Sequence, residues 1–339
     1  MTRTTQIQIF LLVLIVGFLT GPRVIPALEK FSPKEGLRGA QNSVQLASPV
    51  LPSEMAPATT TPLVSVSPYE VITLEAKGVY VWDIKTHRKL YGKNEHAVFP
   101  LASVTKMMMA LVASEILSPE TSITILPDDL MEEGDTGLLA GEKWRLSELL
   151  RFTLVSSSND GASAIAGVAG ANIYSNSVEM NDPFTNKKLF IEQMNRKAKE
   201  IGLSNTHFGN VTGLDIESVA SGAYGTPRDM SILFEYILEK HPELFTATTY
   251  EKIDVKSNDN ITHRVANTNA GVAHVTGLIG SKTGYTDFAG GNLVVVVDIG
   301  IDHPVVIVAL GSTRDGRFTD VKQLIDATIK EIVGVHEPA

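Results

Sequence analysis

Two side chains that can act together as nucleophile and base stand three residues apart in the segment FPLASVTKMMMAL. They are Ser103 and Lys106, at the start of an apolar run typical of a buried helix. Side chains three residues apart share a helix face, so the lysine nitrogen can lie beside the serine hydroxyl. A serine at a helix start also lies where the helix dipole stabilises a developing negative charge. This spacing alone is weak, because a helix-capping serine followed by a solvated lysine gives the same pattern.

A lysine must be neutral before it can accept a proton from serine. Burial and a neighbouring positive charge both lower the pKa of a lysine, so the site needs a second cation. It also needs a hydroxyl to pass the proton onward and an amide to hold a substrate. The segment LVSSSNDGA supplies Ser157 and Asn159, and the segment GSKTGYTDFAGGNLV supplies Lys282. Gly284 in that second segment allows two backbone segments to approach closely.

The three motifs define a resemblance to a known group of enzymes. In chain order they are Ser103-x-x-Lys106, Ser157-x-Asn159 and Lys282-Thr283-Gly284. This order resembles that of the penicillin-recognising serine enzymes. The resemblance is closest to the D-alanyl-D-alanine carboxypeptidases, the low-molecular-mass penicillin-binding proteins, and it spans roughly Glu75 to Val333. It implies an α/β fold of the β-lactamase/D,D-peptidase type, with a mostly antiparallel five-stranded sheet, flanking helices and a helical half-domain.

The same resemblance implies a role for each motif residue. The catalytic residues would be Ser103 as nucleophile, Lys106 as base and Ser157 as a proton relay from Lys106 to the leaving amine. The substrate-binding residues would be Asn159, Lys282, Thr283, Gly284, Tyr285 and Arg317. Within that set, Asn159 would hold Lys106 and a substrate amide, Lys282 would add positive charge, and Thr283 would bind the terminal carboxylate of the substrate. Arg317, in GRF after the last predicted strand, is a second candidate for binding that carboxylate, and a solvated arginine at the start of a helix is the alternative. The backbone N–H groups of Ser103 and Tyr285 would form the oxyanion hole.

Other polar residues near the second motif receive structural interpretations. Ser156 and Ser158 are interpreted as helix-end and packing residues, and Asp160 as the cap of the helix that follows. The departure of this chain from the family pattern lies in the segment 172–188, which is interpreted as an insertion at one edge of the cleft.

The periodicity of the chain places predicted strands near both of its ends. Gly78 to Ile84 and Arg88 to Gly92 are predicted to form a hairpin, and GSKTGYT, GNLVVVVDI and HPVVIVALGS are predicted to be three further strands. The region between Ser103 and Lys240 is predicted to be largely helical, and a final helix covers DVKQLIDATIKEIVG. Because two or three strands alone are only marginally stable, the strands from both ends are expected to share one sheet.

Composition excludes several classes of function. The net charge of −9 argues against a nucleic-acid partner. The chain has no cysteine, which excludes disulfides, a thiolate nucleophile and cysteine-bound zinc. Neither G-x-S-x-G nor H-E-x-x-H occurs, so a Ser-His-Asp hydrolase and a metallopeptidase lack support. We expect neither a cofactor nor a metal.

The N-terminal region is predicted to lie outside the fold. The uninterrupted apolar run from Ile9 to Leu19 indicates that residues 1–28 are a signal peptide or an N-terminal membrane anchor. Residues 29–74 have the Pro/Ser/Thr-rich composition of a linker, and residues 75–335 are predicted to form the catalytic domain. The chain ends with the predicted final helix, so an uncleaved N-terminal segment would supply the membrane anchor. The expected location is extracytoplasmic.

Within the resemblance, the expected partners are peptidoglycan stem peptides and β-lactams as acylating inhibitors. A D,D-endopeptidase that cuts peptidoglycan crosslinks would have the same site, and this alternative stays open. A class A β-lactamase needs a glutamate in an E-x-x-L-N segment between the second and third motifs. Glu192 and Asn195 have the wrong spacing for that motif, so the sequence favours a peptidase.

Overall fold

The computed structural model describes residues 66–134, 136–173, 182–271 and 275–334. The predicted segment 1–28 and most of the predicted linker lie outside these ranges, as does the central part of the 172–188 segment. Within the described residues, no helix is both long enough and apolar enough to cross a membrane.

The described residues form helices and strands that alternate along the chain as follows. The α-helices are α1 (Lys106–Ile116), α2 (Leu146–Ser156), α3 (Asn159–Ile173), α4 (Pro183–Glu200), α5 (Pro227–Lys240), α6 (Glu243–Thr246) and α7 (Gly316–Val333). The strands up to the middle of the chain are β1 (Gly78–Asp83), β2 (Arg88–Lys93), β3 (Phe99–Pro100), β4 (Ser122–Thr124), β5 (Lys143–Arg145), β6 (His207–Phe208), β7 (Asp215–Glu217), β8 (Ala220–Ser221) and β9 (Ala223–Gly225). The later strands are β10 (Lys252–Lys256), β11 (Thr262–Ala266), β12 (Leu278–Thr286), β13 (Gly290–Asp298) and β14 (Pro304–Ser312). Short 3₁₀ turns cover Ala102–Thr105, Pro127–Met131 and Ala247–Thr249.

Strands from both ends of the chain share one antiparallel sheet, as the sequence predicts. Its strand order is β12-β13-β14-β1-β2, and every neighbouring pair is antiparallel. Strands β13 and β14 are almost continuously apolar, because layers of helices cover both faces of the sheet and bury their side chains. Strand β12, which carries the Lys-Thr-Gly motif, is an edge strand.

The two faces of the sheet contribute to two separate apolar clusters. Val294 and Val308 belong to the larger cluster, which includes the helices of the middle of the chain. Val295 and Ile307, each one residue away, belong to the cluster that α7 covers. Because side chains alternate between the faces of a strand, Lys282, which pairs with Val294, lies on the side of the helical half-domain.

Helix α1 is the centre of the helical half-domain. Every side chain from Lys106 to Ala113 is buried, which is expected for a helix that is apolar on all its faces. Helices α3 and α4 pack so closely that a Cβ at Gly170 would overlap the backbone oxygen of Asn186.

Two element boundaries differ from the predictions, and the contacts explain both. Tyr69 is buried and its hydroxyl lies 2.9 Å from that of Thr328 on α7, so the packed domain includes residues that precede Glu75. The final helix begins at Gly316 rather than at Asp320. The side chain of Asp320 accepts hydrogen bonds from the backbone N–H groups of Glu75 and Ala76, so it anchors the entry to β1.

Candidate active site

Ser103 lies in the 3₁₀ turn Ala102–Thr105, which leads directly into α1. Ala102 has φ = 47°, a left-handed conformation that is unfavourable for a residue with a Cβ. The turn is fixed at both ends: the N–H of Leu101 donates to the carbonyl of Ala223 at 3.0 Å, and the Thr105 hydroxyl donates to that of Ala102 at 2.7 Å. The half-buried Ser103 is thus held beside β12.

Gly284 allows the turn to lie directly on the edge strand. A Cβ at this position would lie 2.8 Å from the carbonyl oxygen of Leu101 and 3.1 Å from the backbone nitrogen of Val104. Both are backbone atoms, which cannot rotate away. The third motif therefore needs a glycine here, since a side chain would push the turn of Ser103 away from the sheet. This agrees with the prediction that Gly284 allows two backbone segments to approach closely.

The amine of Lys106 has three hydrogen-bonding neighbours. Its Nζ lies 2.9 Å from Ser103 Oγ, 2.6 Å from Asn159 Oδ1 and 3.0 Å from the carbonyl oxygen of Thr212. The Asn159 amide is oriented by its Nδ2, which donates to the Glu133 carbonyl at 2.6 Å. The amide oxygen and the Thr212 carbonyl can only accept, so they take both N–H groups of a neutral amine. Its lone pair is then left for the proton of Ser103.

Burial favours the neutral form of Lys106. Its side chain has no exposed surface, and this burial lowers its pKa to about 7, while the carboxylate of Glu132 acts in the opposite direction. The half-buried Glu132 accepts a hydrogen bond from the Ser163 hydroxyl at 3.2 Å. A substantial fraction of Lys106 is therefore a neutral amine near pH 7.

Lys282 is the second buried cation that the sequence predicts. Its Nζ lies 2.9 Å from Ser157 Oγ and donates to the carbonyl of Thr283 at 2.9 Å. Burial and the nearby charges of Lys106 and Arg317 lower the pKa of Lys282 well below its ordinary value. The Ser157 hydroxyl therefore contacts Lys282, whereas the sequence analysis predicts that it contacts Lys106 as a proton relay.

The three consecutive serines have different structural roles. Ser157 ends α2 with φ = 61°, so its hydroxyl points away from the helix and into the site. The Ser156 hydroxyl donates to the Phe152 carbonyl within α2, and Ser158 Oγ accepts from the N–H of Gly161 at the start of α3. The prediction that Asp160 caps this helix is wrong, because Ser158 has that role and Asp160 lies inside the first turn.

Thr283 and Tyr285 follow Lys282 along β12. The buried Thr283 hydroxyl lies 2.7 Å from the hydroxyl of Thr268. Tyr285 is 38% exposed, and its ring is stacked against the guanidinium of Arg314 at 5.2 Å. The Tyr285 phenol donates to Asp287 at 3.2 Å, so its hydroxyl is directed to a neighbouring carboxylate.

Arg317 is buried against β12 and is not a solvated helix-start arginine. Its Nη1 donates to the Gly284 carbonyl at 2.7 Å, and its buried Nε has no hydrogen-bond partner among the described residues. Burial lowers its pKa to about 10, with the charge of Arg314 as a further cause. Arg317 therefore places a largely buried positive charge beside the third motif.

Sequence reasoning missed the residues that act here through their backbone. Thr212 and Glu133 contribute only carbonyl oxygens, and any residue type could supply these, so side-chain identity carries no signal. Thr268, which contacts Thr283, lies in a segment without a recognisable motif. Among the described residues, no group of three His, Asp or Glu side chains is arranged to hold a metal ion.

The site thus combines a serine hydroxyl paired with a buried amine, an adjacent edge strand and two further basic side chains, Lys282 and Arg317. The family model of the D-alanyl-D-alanine carboxypeptidases matches residues 64–314. The chain therefore belongs to the D-alanyl-D-alanine carboxypeptidase family, which confirms the resemblance that the three motifs indicate.

Individual relatives agree with this family. The chain is 31% identical over 258 residues to the D-alanyl-D-alanine carboxypeptidase DacF of Bacillus subtilis. The aligned region covers 74% of this chain and 61% of DacF. It is 30% identical over 253 residues to a D-alanyl-D-alanine endopeptidase of Pseudomonas aeruginosa. The aligned region covers 73% of this chain and 74% of that protein. The fold is similar to that of penicillin-binding protein D2 from Listeria monocytogenes in its ampicillin-bound form, with 24% identity, a TM-score of 0.62 and coverage of 76% of this chain and 98% of that one.

The Glu132 carboxylate provides a test of the environment of Lys106. Because this carboxylate raises the pKa of Lys106, Glu132→Gln should lower that pKa, and the alkaline rise of the acylation rate should move to lower pH. The measurement is the second-order rate constant for acylation by a penicillin across pH 5–10. Glu133→Gln is the matched control, since Glu133 is exposed and contacts the site through its backbone carbonyl. A shift to higher pH, or equal shifts in both variants, would contradict this electrostatic assignment.

Proposed function

We propose that this chain is a serine-type D-Ala-D-Ala carboxypeptidase, which removes the terminal D-alanine from peptidoglycan stem pentapeptides through an acyl-enzyme on Ser103. The observation that carries the proposal is the geometry of Lys106. Its Nζ lies 2.9 Å from the Ser103 hydroxyl, while Asn159 and Thr212 accept its other hydrogens. Family membership agrees with this reaction.

Acylation follows from this arrangement in two steps. Ser103 Oγ attacks the carbonyl carbon of the penultimate D-alanine, and its proton moves to the neutral amine of Lys106. The resulting oxyanion is stabilised by the backbone N–H groups of Ser103 and Tyr285; one such donor typically contributes about 100- to 1000-fold in rate. The C–N bond then breaks, and the terminal D-alanine leaves as an amine after it takes a proton.

Ser157 is the proposed last donor of that proton. Its hydroxyl lies 2.9 Å from Lys282 Nζ, so it can pass its proton to the leaving amine. It then receives in turn the proton that Lys106 took from Ser103, which leaves Lys106 neutral again. Water then attacks the ester on Ser103, and Lys106 again serves as base. Hydrolysis of the ester returns the free hydroxyl and releases the shortened peptide.

Recognition of the substrate rests on the edge strand and its cations. An edge strand offers one row of unpaired backbone groups to an extended peptide. The terminal carboxylate of D-alanine is the group that Lys282, Thr283 and Arg317 would bind. Asn159 Nδ2 donates to Glu133, so contact with a substrate amide is assigned to its remaining hydrogen.

The proposed partners and location follow from the same assignment. A related fold holds ampicillin in penicillin-binding protein D2, and we propose that β-lactams acylate Ser103 as inhibitors. Peptidoglycan lies outside the cytoplasm, so the catalytic domain is proposed to act on the outer side of the membrane. Residues 1–28, as a signal peptide or an anchor, would direct it there, and the part of residues 29–74 that precedes the packed Tyr69 would serve as the linker.

A D,D-endopeptidase is the second candidate function. The observation that favours it is the 30% identity to the endopeptidase of Pseudomonas aeruginosa. Both reactions would use the same acyl-enzyme, and they differ in the leaving group, which is a free D-alanine in one and a crosslinked side chain in the other.

The proposed nucleophile is tested by labelling with a penicillin followed by peptide mapping. The adduct is expected on Ser103, because it is the hydroxyl beside a neutral amine, and Ser103→Ala should abolish it. Label on Ser156, Ser157 or Ser158 would contradict the assignment.

In parallel, the wild-type chain should release D-alanine from a pentapeptide. If it released no D-alanine but cleaved crosslinked dimers, the D,D-endopeptidase function would replace the carboxypeptidase function.

The role of Arg317 is tested by comparing two substrates. Charge-assisted hydrogen bonds contribute roughly 1.5–3 kcal/mol each, so Arg317→Ala should weaken hydrolysis of D-Ala-D-Ala peptides about 10- to 150-fold. Acylation by penicillin should fall less, because its strained ring depends less on this contact. Arg314→Ala removes the same charge from an exposed neighbour and is the control. Equal and small losses on both substrates would make Arg317 a structural residue only.

A further inference from the structure

Asn292 on β13 is a fully buried asparagine that directly contacts the segment leading to Ser103. It pairs with Gly284 across the sheet and has no exposed surface. Its Nδ2 donates to the carbonyl of Pro100 at 2.9 Å and to that of Leu101 at 3.0 Å. Both carbonyls immediately precede the turn that carries the proposed nucleophile.

A bulge in the neighbouring strand fixes which end of the Asn292 amide faces those carbonyls. The pairing of β13 with β14 shifts register between Gly291 and Leu293, on either side of Asn292. At this bulge Gly311 has φ = 67°, and its N–H donates to Asn292 Oδ1 at 2.8 Å instead of joining the strand ladder. The amide oxygen is thereby occupied, and the amide nitrogen must point toward the turn.

The two carbonyls that Asn292 holds belong to a strained piece of backbone. Ala102, the next residue, has φ = 47°, a conformation that persists in residues with a Cβ only where the surroundings hold it. The Leu101 carbonyl is also the atom closest to the missing Cβ of Gly284, at 2.8 Å. Asn292 therefore binds the turn at the place where it touches the edge strand.

We infer that Asn292 is a positioning residue for acylation, which holds the Pro100 and Leu101 carbonyls so that the turn at Ala102 presents Ser103 to Lys106 and to the substrate carbonyl. This inference rests on the proposed function, since it concerns acylation of Ser103. Asn292 contacts neither Ser103 nor Lys106 through any hydrogen bond described in the structure, and it acts through the backbone that carries the nucleophile.

Asn195 on α4 provides a control with the same hydrogen-bonding pattern. Its Nδ2 donates to the carbonyls of Ile191 and Phe208, at 3.1 and 2.7 Å, and its Oδ1 accepts from the N–H of Phe208 at 2.9 Å. These contacts connect α4 to β6, outside the turn of Ser103. Asn195 is half-buried, and a substitution there therefore measures the loss of two amide donors without any effect on the nucleophile.

The experiment compares Asn292→Asp with Asn195→Asp, because each change keeps the accepting oxygen and removes both donors. Acylation by a penicillin is followed by stopped flow to separate the binding constant from the acylation rate constant, and melting temperatures are measured in parallel. The acylation rate constant of Asn292→Asp should fall about 10- to 100-fold with little change in binding, as expected for two lost hydrogen bonds. Asn195→Asp should leave it near the wild-type value.

A second substitution tests whether the strain at Ala102 is what Asn292 controls. Glycine adopts positive φ without steric cost, so Ala102→Gly should restore a large part of the acylation rate when combined with Asn292→Asp. The single Ala102→Gly variant, which also loses a buried methyl group, serves as the reference. If Asn292→Asp does not fold, Asn292→Ser replaces it, because a small neutral hydroxyl is tolerated more easily than a carboxylate.

The outcomes separate this inference from the proposed function. If wild type is not acylated at Ser103, the proposed function fails irrespective of Asn292. If wild type is acylated and Asn292→Asp loses no more activity than Asn195→Asp, the inference is overturned. It is also overturned if Ala102→Gly gives no recovery in the double variant, since the loss would then come from general destabilisation.

Discussion

Two amines share the interior of this protein within one site, and this is the constraint on which the rest of the site depends. Lys106 is fully buried and Lys282 is 1% exposed. Burying a charged ammonium costs several kcal/mol, and a second one nearby adds repulsion. The hydrogen bonds described for both amines go to neutral oxygen atoms. The protein therefore stabilises a state in which at least one amine is neutral, and a neutral amine is what a serine nucleophile needs.

The fold creates this burial by bringing an apolar helix to the edge of a sheet. Helix α1 is buried on all sides, so its first residue, Lys106, is drawn into the interior. The local backbone is strained where the two proposed catalytic hydroxyls emerge. Among the described residues, the non-glycine positions with positive φ include Ala102 and Ser157. The others are His, Asn or Asp, which tolerate this conformation better. Strain of this kind is typical of functional sites, where the surrounding contacts hold it in place.

The sequence predicted those features that depend on side-chain type at short spacing. The Ser103 and Lys106 pair follows from helical geometry, and the shared sheet follows from apolar strands at both ends of the chain. The residue types of Ser157 and Lys282 were also identified, but their mutual contact was not. That contact depends on the left-handed backbone conformation at the C-terminal end of α2, and the residue type serine does not indicate such a conformation. The misassigned cap at Asp160 has the same origin, because Ser158 and Asp160 are both good capping residues and only the backbone selects between them.

Long-range backbone contacts could not be predicted from the sequence at all. The carbonyl of Thr212 binds Lys106 from more than a hundred residues away, and no side chain marks it. Asn292 is similar, since a polar residue within an apolar strand indicates only that a partner must exist. Its partner, the backbone before Ser103, is defined by the packing of the turn against the sheet. The sequence thus identifies the reactive groups, and the tertiary structure supplies the neutral acceptors that determine their protonation.

The protonation state of Lys106 in the folded protein is the most direct test of this account. Lysine labelled with ¹³C and ¹⁵N at the side-chain end can be titrated by NMR, with the Lys106 signal assigned by its absence in Lys106→Arg. Lys106 is expected to titrate far below ordinary lysines, with a pKa of about 7, because its side chain is buried and forms no ion pair with a carboxylate among the described residues. A signal that stays protonated above pH 9, like that of the exposed lysines, would contradict the claim that Lys106 is the base.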